Sequence, residues 1–205
     1  MLRFDTAGWR EVAPGTFHND DGDGLGLYGF DLPPDLPAPL EDQDRLRRAI
    51  AAHVAASGGG LVELDVIGLD GLAAVAQIVK MRIPDQPTGV VYLGSFTVPR
   101  ADRSLVLKVQ CMERGVTGMR DSVVMNRFMA EHGQGRPLEE VMRMWAQHPY
   151  DPTIQGGLPR NWSEEPGWDP HFPDHPLSRA RRIMHAVAPT IEIHPDFKAA
   201  PPFRG

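Results

Sequence analysis

An alternation of apolar and polar side chains in the middle of the chain predicts a β-hairpin. Apolar residues occupy every second position from Leu105 to Cys111, and the residues at 106, 108 and 110 lie in the opposite phase. A segment rich in β-branched and aromatic residues precedes it at 89–98, and the linking residues 99–103 begin with proline and are mostly charged. A period of two is typical of strands, and such a linker is typical of a turn. We therefore expect antiparallel strands at 89–98 and 104–113, with Cys111 on the buried face.

Four more segments show weaker strand patterns. Residues 61–67 place valine or leucine at 62, 64 and 66 and acidic residues between them, which predicts one apolar face. The first half of 73–83 also fits a helix, but its second half alternates, and we favour a strand. Residues 9–12 and 25–30 are further candidates, separated by a polar loop at 18–24.

A period near 3.6 predicts four helices. In residues 41–56 the apolar positions Leu46, Ile50 and Val54 are spaced four apart, and acidic residues precede basic ones. Residues 118–132 have the same periodicity, with Thr117 as the expected N-cap and Gly133 as the end. A third helix is expected to begin at Pro137 and end before Pro149, and a fourth to cover 176–187.

Prolines are distributed unevenly. Of the 20 prolines, five precede residue 40, three lie in 40–136 and twelve follow. Proline is scarce inside regular structure, so the proline-poor middle is expected to form the folded core. Residues 149–176 hold seven prolines but also four aromatic residues, Tyr150, Trp162, Trp168 and Phe172. Disordered segments are usually poor in aromatic residues, so we expect an ordered loop whose rings pack on the core.

Together these elements predict an α+β fold with a mainly antiparallel sheet packed against helices. A parallel sheet needs a helix between successive strands, and none fits between residues 60 and 113 if 73–83 is a strand. We expect one domain over 1–205. It would consist of N-terminal strands with a proline-rich connector (1–39), an α+β core (40–148), and a proline- and aromatic-rich C-terminal arm (149–205) that wraps the core.

Composition narrows the classes of function. The chain has 205 residues, 41% of them hydrophobic, and a formal net charge of −6. An acidic balance argues against nonspecific binding to nucleic acid or to anionic membranes. No apolar run approaches the roughly 20 residues that a membrane span needs, and no secretory signal is visible. A single cysteine cannot form an internal disulfide, so we expect a soluble cytoplasmic protein.

The densest cluster of chemically active groups lies in the arm. Asp169, His171, Asp174 and His175 could hold a divalent metal, and His171, His175 and Asp174 are also candidates for acid–base catalysis. Pro173 excludes the helical spacing that known metal helices use. The favoured interpretation is a loop in which these side chains cap neighbouring backbone, with Asp174 near the start of a helix.

Other candidates are weaker. Residues 19–24 resemble half of a calcium loop, but Phe30 occupies the position of the required glutamate, so an acidic turn is favoured. Cys111 is expected to be inert packing rather than a nucleophile. The junction 113–121 could present binding groups, but a well-capped turn is favoured. Six of the nine methionines lie between 112 and 144, and we expect them in the core.

The side chains proposed for partner binding are Trp162, Trp168, Arg179 and Arg182. The arginines could bind a phosphate or an acidic partner, although ion pairs within the chain are the favoured alternative. We expect a non-enzymatic protein that binds another protein, as an immunity protein or an assembly subunit does, with no cofactor and neither nucleic acid nor membrane as partner. The oligomeric state stays open. The alternative is a small metal-dependent or acid–base hydrolase that uses His171 and His175.

Overall fold

A computed structural model describes residues 2–83, 86 and 88–205. The described α-helices are α1 (Gln43–Ala56), α2 (Met119–His132), α3 (Leu138–Trp145), α4 (Pro176–Val187) and α5 (Pro195–Lys198). Three short 3₁₀ helices lie in the C-terminal arm, at Trp162–Glu164, Pro166–His171 and Ala188–Thr190. Asp42 caps α1 by accepting a hydrogen bond from the Arg45 amide at 3.1 Å.

Seven of the described strands form one antiparallel sheet. They are β2 (Arg10–Ala13), β3 (Thr16–His18), β4 (Gly24–Phe30), β5 (Gly60–Leu69), β6 (Leu72–Arg82), β7 (Val90–Pro99) and β8 (Ser104–Met112), and their order in space is β2-β3-β4-β8-β7-β6-β5. Two small pairs accompany the sheet: β1 (Leu2–Arg3) with β11 (Glu192–Ile193), and β9 (Ala146–Gln147) with β10 (Arg160–Asn161). The expected α+β fold with a mainly antiparallel sheet is confirmed.

The predicted hairpin is present in the expected phase. Val98 pairs with Leu105 and Tyr92 pairs with Cys111, so apolar side chains of β7 and β8 share one face. This face packs against α4, whose Leu177 and Ala180 are completely buried. The opposite face of β5 and β6 packs against α1 through a second apolar cluster. The sheet is therefore covered by helices on both faces.

A third apolar cluster joins α2 and α3 to the C-terminal arm. Val124 and Phe128 of α2 and Trp145 of α3 are buried together. Trp162, Trp168 and Phe172 pack against them from the segment 160–175, which we call the arm loop. The Phe128 ring lies 5.1 Å from Trp162, centroid to centroid, in an edge-to-face arrangement. The expectation of an ordered arm whose rings pack on the core is confirmed for these three rings, whereas Tyr150 is 40% exposed.

Several local expectations were wrong. Val62 does not share a face with Leu64, because a bulge between Leu61 and Glu63 adds a residue to β5 and changes the phase. The residue before α2 is Gly118, at φ 71°, rather than a capping Thr117. Such a left-handed backbone suits glycine, which has no Cβ to clash. The sequence patterns also missed strand β3.

The expectation that the methionines between 112 and 144 lie in the core holds only for Met125 and Met129, which are partly buried against the third apolar cluster. Four of the six are exposed: Met112, Met119, Met142 and Met144. In α2 and α3 the buried apolar positions are Val124, Phe128, Val141 and Trp145, and Met119, Met142 and Met144 lie outside this apolar cluster. Within the described ranges, no helix is long and apolar enough to cross a membrane.

Candidate functional site

A pocket lies where the turn after β8 meets the C-terminal arm. Its volume is about 360 Å³, within the range of small-ligand sites. Its lining combines two segments that were separate candidates in the sequence: Glu113, Arg114, Val116, Met119 and Arg120 from the junction, and residues 171–176 from the arm. We call it the α2–arm pocket. The structure thus brings His171, Asp174 and His175 to one cavity.

His175 is held as a neutral imidazole at the start of α4. Its Nδ1 accepts a hydrogen bond from the Leu177 amide at 3.2 Å, so the ring proton is on Nε2. Burial, and next the positive charge of Arg120, lower the pKa of His175 to about 3. An imidazole with this pKa and an engaged Nδ1 is poorly suited to act as a general base near neutral pH. His175 can instead offer an Nε2–H donor.

Asp169 does not join the histidines in a ligand set. Its carboxylate accepts hydrogen bonds from Arg120 at 2.9 Å, from Ser178 at 3.0 Å and from Arg181 at 3.1 Å. His171 is exposed beside the Trp168 ring. Across the part of the chain that the structure describes, no three His, Cys, Asp or Glu side chains are grouped so that they could hold a metal ion. The geometry gives no support to the metal site, the alternative that the sequence analysis did not favour.

Arg120 fastens the arm loop to α2 and was not singled out in the sequence. Its side chain is fully buried, and its Nε donates to the carbonyl of Ser163 at 2.6 Å. Its Nη atoms donate to Ser178 at 2.9 Å and to the carbonyl of Glu165 at 3.2 Å, in addition to Asp169. Because its hydrogen bonds go to α4 and to the arm loop, Arg120 holds three parts of the molecule together.

A second buried polar group connects the arm loop to the sheet. The Glu164 carboxylate is fully buried and accepts a hydrogen bond from Lys80 Nζ at 2.7 Å. Its other oxygen accepts one from the Tyr92 hydroxyl, also at 2.7 Å. Burial, and next the negative charge of Glu164, raise the pKa of Tyr92. The backbone N–H of Asn161 also donates a hydrogen bond to the Glu164 carboxylate, at 2.9 Å.

A third buried polar group, Asp23, connects the acidic turn at 19–24 to α4. Asp23 is buried, and both of its carboxylate oxygens accept hydrogen bonds from Arg179, at 3.0 and 3.2 Å. Arg114 donates to the same carboxylate at 2.9 Å. The Asp23 carboxylate therefore forms ion pairs within the chain. This agrees with the interpretation of residues 19–24 as an acidic turn rather than a calcium loop. Burial raises the pKa of the neighbouring Cys111 thiol, as expected for inert packing.

The remaining partner candidates are Trp162, Trp168 and Arg182. Trp162 and Trp168 line a second pocket of about 330 Å³ together with Arg127 and His171. The Arg127 guanidinium lies 5.4 Å from the centroid of the Trp168 ring. Arg182 is exposed and donates to the carbonyl of Pro173 at 3.1 Å. The two tryptophans are half-buried in the arm's own packing.

The buried groups were missed for an identifiable reason. Sequence patterns assign charged residues to the surface. Only the position of Lys80 in the alternation of β6 indicated a buried charged side chain. Lys80 continues the phase of Ala74 and Ile78, which are buried in β6. Chemically, the site offers fixed donors and apolar walls.

When compared with known proteins, the chain matches no family model and no curated protein.

Proposed function

We propose that this chain is a non-enzymatic interaction protein that binds another protein on the outer surface of α2 and α3. Of the twelve large apolar side chains exposed in the described part of the chain, seven lie between residues 112 and 144. Five of them, Met119, Val123, Leu138, Met142 and Met144, lie in α2 and α3, and Met112 and Val116 lie at the end of β8 and in the turn that leads into α2. We call these seven the α2–α3 surface, and their concentration is the observation that supports the proposal.

The spacing of these residues suits a docking face. Met119 and Val123 are four apart in α2, and Leu138 and Met142 are four apart in α3, so each helix carries its own short apolar row. The buried sides of the same helices already pack against the arm loop. Apolar side chains grouped on a surface mark interaction sites more often than scattered ones do.

The energetics favour a partner that covers this surface. Val116 is 73% exposed and Leu138 is 65% exposed, so most of their apolar area contacts water. Fully burying a side chain of this size is worth about 1.5–3 kcal/mol. Methionine adapts its shape to irregular surfaces, which suits a protein interface. A partner with an apolar face of its own is therefore expected.

We place this interaction in the cytoplasm. The single thiol of the chain, Cys111, is buried in the core and unpaired. A protein with no disulfide has no need of an oxidising compartment. The partner could be a toxin held by an immunity protein or a subunit of a larger assembly, and the size of the isolated complex distinguishes the two.

The experiment compares capture by the wild-type chain and by two surface variants. Met119→Asp combined with Val123→Asp places charges on the α2–α3 surface, and Val12→Asp is the matched control because Val12 is equally exposed, at 49%, on strand β2. Tagged chains are expressed in the cells from which the protein comes, and captured proteins are quantified by mass spectrometry. We expect one partner in near-stoichiometric amount with the wild type and the control, and at least about tenfold less with the double variant.

Two results would contradict the proposal. Equal capture by the double variant would show that the partner binds elsewhere. A wild-type chain that captures no protein and elutes as a monomer at micromolar concentration would remove the docking function. Circular dichroism confirms that the variants are folded, which is expected because both substituted residues are exposed.

A further inference from the structure

The α2–arm pocket offers hydrogen-bond donors to a ligand. His175 is neutral and has its proton on Nε2, because Nδ1 accepts from the Leu177 amide. Arg114 also lines the pocket, and its side chain is 42% exposed. Its described ion pair is with Asp23, a carboxylate that Arg179 already binds through both oxygens. Two guanidinium groups thus share one carboxylate, which leaves Arg114 able to bind a second acceptor.

Most acceptors around the pocket are already engaged. Glu113 accepts hydrogen bonds from the Gly118 amide at 2.9 Å and the Val90 amide at 3.0 Å, one on each carboxylate oxygen. Asp169 is held by arginines, as described above. Asp174 is the exception: its side chain is exposed at the pocket. A ligand that enters therefore meets free donors in the wall and one carboxylate of the protein.

Apart from Arg120, which is engaged in the arm loop, and the exposed His171, the remaining lining is apolar. It consists of Val116, Met119, Phe172, Pro173 and Pro176. Prolines and a ring at these positions give stiff walls that lose little conformational freedom when a ligand binds. Small-ligand sites typically combine such apolar walls with a few placed polar groups.

We propose that the α2–arm pocket is a binding site for a carboxylate attached to a small apolar or aromatic group. Arg114 and the Nε2–H of His175 donate to the carboxylate, and the apolar walls hold the attached group against Phe172. A carboxylate matches these donors because hydrogen bonds with ionised partners are about twice as strong as neutral ones. The site is distinct from partner docking on the α2–α3 surface, although Val116 and Met119 belong to both.

The probe is 3-phenylpropionate, titrated into the full chain and followed by calorimetry and by amide chemical shifts. The neutral analogue is 3-phenylpropionamide, and the cationic analogue is 3-phenylpropylamine. We expect the acid to bind at least about tenfold more tightly than the amide, the difference that one charge-assisted hydrogen bond provides. Shift changes should concentrate at residues 114–120 and 171–177.

Two substitutions of opposite sign sharpen the test. Arg114→Gln removes the cation and should weaken binding of the acid about tenfold, whereas Asp174→Asn removes the anion and should strengthen it. Asp23 keeps Arg179 in the first variant, so the fold is retained. Val12→Asp, far from the pocket lining, should leave the affinity unchanged.

The reverse pattern would overturn the proposal. In that pattern the amine binds most tightly of the three probes, and its binding is lost in Asp174→Asn and retained in Arg114→Gln. Equal binding of acid and amide, or of inorganic phosphate and acid, would also overturn it.

A peptide, N-acetyl-Gly-Gly-Phe, distinguishes the source of the carboxylate. If the peptide binds more tightly than the free acid, the carboxylate belongs to a chain terminus, and otherwise to a small molecule. A chain that binds the acid but captures no partner would keep this site and remove only the docking function.

Discussion

The β7–β8 hairpin and the arm loop are both ordered, but different forces hold them. In the hairpin, every inward side chain from Leu105 to Cys111 is apolar and buried. The arm loop has half-buried rings, yet its most completely buried side chains are Ser163 and Glu164. Apolar packing depends on volume, whereas a buried carboxylate depends on its partners. The hairpin should therefore tolerate changes of shape that keep volume, and the arm loop should not tolerate the loss of one charge.

The largest expected effect follows from removing the charge of Glu164. Glu164→Gln keeps the size but leaves Lys80 charged and unpaired in the interior, which is expected to lower the free energy of unfolding by about 3–5 kcal/mol. Urea unfolding measures it. Glu165→Gln is the matched control, because Glu165 pairs with Arg160 while its side chain is 51% exposed, and a surface pair is worth at most about 1 kcal/mol. Similar losses in the two variants would refute the difference between buried and exposed pairs.

The second effect depends on pH. Burial and the positive charge of Arg120 lower the pKa of His175 to about 3 in the folded protein, from its ordinary value of 6.5. The unfolded chain takes up this proton first, so the stability contributed by neutral His175 is complete above pH 6.5 and is lost as the pH falls toward 3. Between pH 7 and pH 5 the wild type should lose about 2 kcal/mol more than His175→Asn, whose side chain can still cap α4. Parallel pH profiles of the two chains would contradict the assignment.

A smaller effect is expected in the hairpin. Leu107 is completely buried, and Leu107→Met nearly conserves its volume, so the expected loss is below about 1.5 kcal/mol. Leu107→Ala is the comparison variant: it removes most of the side-chain volume and is expected to lower the free energy of unfolding by about 2–5 kcal/mol. If Leu107→Met proved as costly as Glu164→Gln, the contrast between volume and charge would fail.

The smallest effect is expected at Arg182. This side chain is exposed and donates to one carbonyl, so Arg182→Ala should change the free energy of unfolding by no more than about 0.5 kcal/mol. Thermal unfolding of the variant beside the wild type is sufficient. A loss above about 2 kcal/mol would mean that Arg182 fastens the arm as Arg179 does.

The same contrast explains how much the sequence predicts. The hairpin and α1 follow from periodicity, because each pattern is local and repeats along the element. The bulge at Val62 breaks such a pattern by one residue, and period two then assigns the wrong face. For the candidate site, the sequence analysis named both segments that line the α2–arm pocket, 113–121 and 169–175, but interpreted each separately. The pair that joins them, Arg120 with Asp169, is 49 positions apart, and the other buried pairs are more remote: Lys80 and Glu164 are 84 positions apart, and Asp23 and Arg179 are 156 apart. Local patterns carry no information about such pairs.

Hydrogen exchange in the arm loop tests the central claim most directly. The amides of Ser163, Trp168 and Phe172 are hydrogen-bonded within this loop, so their protection reports whether it stays folded on the core. The account predicts strong protection in the wild type and exchange at least about tenfold faster in Glu164→Gln, with the hairpin amides remaining slower than those of the loop in the variant. Nearly unprotected amides at these three residues in the wild type would contradict it, because the buried ion pairs would then not hold the loop in place.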